Sequence, residues 1–179
     1  MIHSSNQVNM LLRRSSLIAL LLLAPLSHYG QDAESFFKRG QVKYAKADYA
    51  GAVAEYDKAL QLDPKHKNAY IQRGFCKSLA EDYKGAIEDY TKVLEIDPKH
   101  IWAYISRGSA KNRLEDYKSA MDDFNHALEL NPKDTEAYNN RGFSKKGLGD
   151  KEGACADWTL SKQMGNEEAK IILKNNYCK

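Results

Sequence analysis

Apolar positions recur at helical spacing along almost the whole chain. Within residues 103–114 and 120–130 they fall on one face of a helix, with little β-branched alternation. Between these stretches Glu115-Asp116 breaks the pattern, as Glu81-Asp82 and Ala47-Asp48 do earlier. Asp63-Pro64, Asp97-Pro98 and Asn131-Pro132 end the second stretch of each unit, because proline withholds an N–H and pushes the preceding residue out of the helical region. The pattern therefore predicts pairs of helices, and the pair is written four times. Gly40, Gly74, Gly108 and Gly142 are spaced by 34 residues. Each follows an arginine (Arg39, Arg73, Arg107, Arg141) and stands four after an aromatic (Phe36, Tyr70, Tyr104, Tyr138). Ala52, Ala86, Ala120 and Ala154 keep the same period, each with an aromatic one turn later (Tyr56, Tyr90, Phe124, Trp158). Small residues let paired helices approach closely, and the aromatic fills the space beside them.

This spacing of small, aromatic and proline positions resembles the tetratricopeptide repeat, a 34-residue helix–turn–helix unit. The resemblance implies an all-α, right-handed α-solenoid of four units plus a capping helix. The repeats are 33–66, 67–100, 101–134 and 135–168, within a domain spanning 31–179, with a cap at 167–177. Two positions depart from the family pattern. The leucine usual before the glycine is arginine in all four repeats, and the tyrosine usual three after it is Lys43, Lys77, Lys111 or Lys145. An acid also recurs before the second-helix aromatic: Glu55, Asp89, Asp123, Asp157. Two readings stand: the arginines pair with these acids between packed helices, where guanidinium geometry suits a carboxylate, or they form a solvated charged edge. In repeat four Ser161 replaces Ala59, Val93 and Ala127, and Asn166 replaces the proline. Such decay is expected of a terminal repeat with a polar outer face.

Residues 1–30 lie outside the repeat. Arg13-Arg14, the apolar run Leu17–Leu26 and a short polar end read as a cleaved secretory signal peptide. The run is short for a membrane span, and an uncleaved anchor is the alternative. The chain is expected to be exported to the periplasm or the extracellular space, with no membrane insertion after cleavage. Net charge is +3, of which Arg13 and Arg14 supply two. So balanced a domain carries no electrostatic footprint for nucleic acid, and the tyrosines recur at packing positions rather than on a basic platform.

No catalytic constellation emerges, so an enzyme is not expected, nor a cofactor. The cysteines lack the paired spacing of a zinc site and no metal is expected. His66 and His100 hold one loop position in successive repeats and read as solvated loop residues. Within the repeat pattern Cys155 takes an apolar position directed at the following helix, the cap, which ends in Cys178. In an exported protein the two are candidates for a disulfide; two reduced cysteines are the alternative. Resemblance of the C-terminal segment to exported bacterial tetratricopeptide proteins favours the bond by analogy. Cys76 then remains as a small buried residue.

In the family, the first helix of each repeat lines a concave binding surface. The family's terminal-carboxylate clamp is not matched: its positions hold Phe37, Gln41, Gln72, Trp102 and Ser106. Groove positions carried over one by one leave an apolar and aromatic strip: Phe37, Tyr44, Ile71, Phe75, Leu79, Trp102, Ile105 and Phe143, with Arg113 and Asn139 beside it. Ser109, Asn112, Asn140 and Lys146 fall on the same surface. Exposed strips of this kind mark interaction sites. The expectation is a non-enzymatic scaffold that binds a protein or peptide in this groove. The alternatives are a homo-oligomer that buries the strip, or an accessory subunit of a larger envelope enzyme or transport assembly.

Overall fold

The computed structural model describes residues 32–175 and 178. Among them are nine helices and no strand: α1 Ala33–Ala45, α2 Tyr49–Leu62, α3 Lys67–Leu79, α4 Tyr83–Ile96, α5 Ile101–Arg113, α6 Tyr117–Leu130, α7 Thr135–Gly147, α8 Lys151–Gln163 and α9 Glu167–Asn175. Each helix packs on the next in sequence, so the domain is a solenoid of four pairs closed by α9. First helices of successive repeats also touch (α1 with α3, α5 with α7), a contact the second helices do not match. The stack therefore curves with the first helices on its inner face. The signal-peptide reading of 1–30 falls outside the described residues.

Local sequence sets each boundary. Asp48, Asp82, Asp116 and Asp150 close one helix and open the next. Their N–H groups donate back to Lys43, Lys77, Lys111 and Lys145 carbonyls, while their carboxylates accept from the N–H of Gly51, Gly85, Ser119 and Gly153. This satisfies orphan carbonyls and orphan donors with one residue. The residue before each aspartate takes the left-handed conformation that ends a helix: Ala47, Glu81 and Glu115 at φ near 60°, and Gly149 at 86°. His66 and His100 are not idle loop residues. Their Nδ1 atoms accept from the N–H of Ala69 and Ala103 at 3.2 Å, so both cap helices, in the place held by Asp32 and Asp134 in repeats one and four.

The core follows the period. Ala52, Ala86, Ala120 and Ala154 are fully buried, and so are Tyr56, Tyr90, Phe124 and Trp158, give or take a percent of surface. A Cβ on Gly108 would lie 2.7 Å from the Phe124 ring, so only glycine admits this crossing. Burial pushes the Cys76 thiol up to about 11, which keeps it protonated and inert.

The recurring charges lie between the helices as a ladder. Arg73, Arg107 and Arg141 each donate through Nε and Nη2 to both carboxylate oxygens of Asp89, Asp123 and Asp157. Lys77, Lys111 and Lys145 reach the same carboxylates at 3.0, 2.7 and 2.9 Å. These lysines stand where the family has tyrosine, and their pairing accounts for the departure. Each arginine also reaches back to the preceding repeat, to Asp57, Thr91 or Asn125, and lies over Tyr70, Tyr104 or Tyr138. Repeat one is looser: Arg39 donates only Nε to Glu55, at 2.7 Å.

The end of repeat four differs from its sequence reading. Ser161 is fully buried, and its hydroxyl donates to the Thr135 carbonyl at 2.8 Å. It is a satisfied core position, not the start of a polar outer face. Cys155 and Cys178 are joined by a disulfide with Cα atoms 5.6 Å apart, so the chain beyond α9 is tied to α8.

Candidate functional site

The inner face is built from the first helices, whose surface positions differ between repeats while the glycine at each helix crossing (Gly40, Gly74, Gly108, Gly142) repeats. Across repeats one to three it carries a row of rings. Tyr44 lies 5.7 Å from Tyr49 and 5.9 Å from Phe75; Phe75 lies 6.4 Å from Trp102; Trp102 meets Tyr90 edge-on at 5.7 Å. Tyr44, Phe75 and Trp102 are half-buried, so one side of each ring is held by the core and the other remains open. Leu79 is more exposed, at 46%.

Toward repeat four the face changes character. A cavity of about 540 Å³ opens between α5 and α7, lined by Ser109, Asn112, Arg113, Tyr117, Asn140, Phe143, Lys146 and Gly147. Its walls are cross-linked: the Asn112 amide donates to the Asn140 carbonyl at 3.1 Å, and the Ser144 hydroxyl donates to Asn112 Oδ1 at 2.7 Å. Phe143 is 38% exposed and stands edge-on to Trp158 at 5.4 Å. Arg113 lies over the Tyr83 ring, 5.2 Å from its centroid.

Of the strip residues expected from the sequence, Tyr44, Ile71, Phe75, Leu79, Trp102, Arg113 and Phe143 are at least partly accessible on this face. Phe37, Ile105 and Asn139 are not: all three are buried. Together with Ile71 they hold one repeat position, which points into the seam between helix pairs. Phe37 packs on Tyr56 and His66; Ile105 joins the core cluster with Ala120, Phe124 and Ala137; the Asn139 carbonyl accepts from the Trp158 indole at 3.0 Å. Sequence reasoning missed Tyr117 and Gly147. Recurrence with Tyr49 and Tyr83 assigned Tyr117 to packing, yet its ring walls the cavity beside Gly147. The available signal was Gly147 itself, a glycine where earlier repeats have Ala45, Leu79 and Arg113.

Four stacked helical pairs with a variable inner face define a repeat scaffold for protein interaction. The chain belongs to the tetratricopeptide repeat family, whose models match residues 33–66, 68–100 and 103–134. Its structure is similar to MamA 41-end from Desulfovibrio magneticus RS-1, at 25% identity and a TM-score of 0.73, covering 89% of this chain and 91% of that one. It is similar to the Arabidopsis OM64 TPR domain at 31% identity and a TM-score of 0.60, covering 64% and 94%. It shares its fold with the first TPR of Spaghetti (RPAP3) bound to an HSP90 peptide, at 23% identity and a TM-score of 0.63, covering 67% and 95%. No curated protein matches the sequence.

Proposed function

We propose that this protein is a non-catalytic scaffold that binds an extended segment of a partner protein along its inner face. The observation that carries the reading is the half-open ring row Tyr44–Phe75–Trp102, continued by exposed Leu79 and Phe143. Apolar side chains left accessible along one face suit a partner surface. The peptide held by a protein of the same fold supports the mode of binding by analogy. The Cys155–Cys178 disulfide supports an exported, oxidising destination.

The test is an affinity pull-down from the native cells with wild type and with Leu79→Glu/Phe143→Glu, two exposed positions, of which Phe143 also touches Trp158, so the variant is compared only at wild-type helicity and Tm. Wild type should retain a partner that the variant loses at unchanged helicity. A partner retained equally by both would move binding off this face. A second reading, self-association, draws on the same exposed apolar residues. It predicts a mass that rises with concentration in wild type and stays monomeric in the variant.

A further inference from the structure

Arg113 stands apart from the other arginines. Arg39, Arg73, Arg107 and Arg141 are each bonded to a carboxylate. Among the described residues Arg113 has no acid partner; its plane rests on Tyr83, which leaves the guanidinium edge to the solvent. Lys146, across the cavity on α7, likewise makes no ion pair among the described residues. Ser109 and Asn140 line the same cavity with side chains that have no hydrogen-bond partner among the described residues, and no carboxylate lines it. The walls are already fixed by Asn112, so the donors are pre-positioned. Both first helices end here, and their terminal carbonyls would repel an anion. Most of those carbonyls accept an N–H: Ala110, Lys111 and Asn112 from Leu114, Asp116 and Glu115, and Ser144, Lys145 and Lys146 from Leu148, Asp150 and Gly149. The last carbonyl of each helix, on Arg113 and Gly147, has no backbone donor among the described residues and is opposed by the two cationic side chains. Two full positive charges with amide and hydroxyl donors on the same cavity wall complement one carboxylate.

We propose, on the basis of the groove reading above, that this cavity seats an aspartate or glutamate side chain of the bound segment, next to apolar residues lying on Leu79 and Phe75. Adjacent helices are about 10 Å apart and an extended chain advances about 3.3 Å per residue. The cavity lies between α5 and α7, one and a half such spacings from α3, or about 15 Å, so the acid falls about four or five residues from the apolar residue over Leu79. Phe143, exposed at the far wall, gives the chain an apolar contact beyond the acid, so the carboxylate is internal and not the chain terminus.

The experiment is selection of short random peptides, displayed with both ends fused so that no terminal carboxylate exists, on the immobilised full-length protein. It is repeated with Arg113→Glu/Lys146→Glu and with Leu79→Glu, all of wild-type helicity. Wild type should enrich sequences with an acid about four or five residues from an apolar pair. These should bind the double variant roughly tenfold or more weakly, and that variant should instead enrich lysine or arginine. An apolar consensus without the acid, bound equally by the double variant, overturns this proposal and leaves the groove reading standing. An acid recovered only from a library with free C-termini overturns the internal side chain. No enrichment on wild type, or enrichment indifferent to Leu79→Glu, overturns the groove reading and this proposal with it.

Discussion

Arg107 and Asp123 face each other across the crossing of α5 and α6, joined by two parallel hydrogen bonds of 3.0 and 2.6 Å, with Lys111 completing the charge at 2.7 Å. The Asp123 side chain keeps 3% of its surface in water, whereas Arg39 in repeat one keeps 46%. Removing one member of a buried pair strands the others. Asp123→Ala should therefore destabilise by about 3 kcal/mol and Arg39→Ala by less than about 1 kcal/mol. Paired denaturant titrations test the difference; equal losses would mean the ladder is solvated throughout.

The Tyr56 hydroxyl is buried without a hydrogen-bond partner, and burial pushes it up to about 12. The equivalent Tyr90 bonds to Ser78, and repeat three has Phe124 at this place. Tyr56→Phe should hold or raise stability, by up to about 1 kcal/mol. Tyr90→Phe should not. A lower Tm for Tyr56→Phe would place a bonded water at the hydroxyl.

Glu115 adopts a φ of 61°, where a side chain is strained and Gly149 of the next repeat is not. The left-handed conformation costs roughly 1–2 kcal/mol, offset in part by the entropy of glycine, about 0.5–1 kcal/mol. Glu115→Gly should stabilise by about 0.5 kcal/mol, read as a raised denaturation midpoint at unchanged slope. A fall in midpoint would show that the glutamate side chain contributes more than its strain.

The disulfide closes a loop of sequence separation 23. Chain-entropy arguments give such a link about 3 kcal/mol. That energy acts on α8 and α9, since each helix contacts mainly its neighbours in sequence. Reduction should speed amide exchange in 167–175 while 67–130 stays protected. Uniform acceleration would mean that the whole solenoid unfolds as one unit.

Acid acts in two directions. Lys67 holds the Asp97 carboxyl below its ordinary 3.8, and Lys58, then Arg39, hold Glu55 below 4.5. The folded state binds these protons more weakly than the unfolded chain. Their contribution is complete above about pH 4.5 and is lost as pH falls through the depressed values. Glu136 has the opposite sign: burial, then Asp134 and Glu168, push it above 4.5. It costs stability at neutral pH, and the cost fades on acidification. Glu136→Gln should raise the Tm at pH 7 and leave it nearly unchanged near pH 4. An unchanged Tm at pH 7 would remove the account from burial and like charge.

The sequence by itself determined the helix pairs, their starts at Ala33, Lys67, Ile101 and Thr135, and the small-against-aromatic crossing. These are local or strictly periodic properties: helical spacing, proline stops, and a glycine facing a ring sixteen residues later. Whether the recurrent arginines paired or stayed solvated was not legible, because a charged residue is exposed or buried according to how closely a second helix approaches. Only the packed structure places Asp123 under Arg107 and Lys111. It also divides the inner face. Phe37, Ile105 and Asn139 share a helix surface with Phe75 and Phe143 in projection, yet the neighbouring helix pair covers the first three and not the last two. The cavity likewise depends on Tyr117 and Gly147, residues of different helices that meet only when α6 crosses α7. Exposure is a property of the space between elements, and that space exists only once the repeats are stacked.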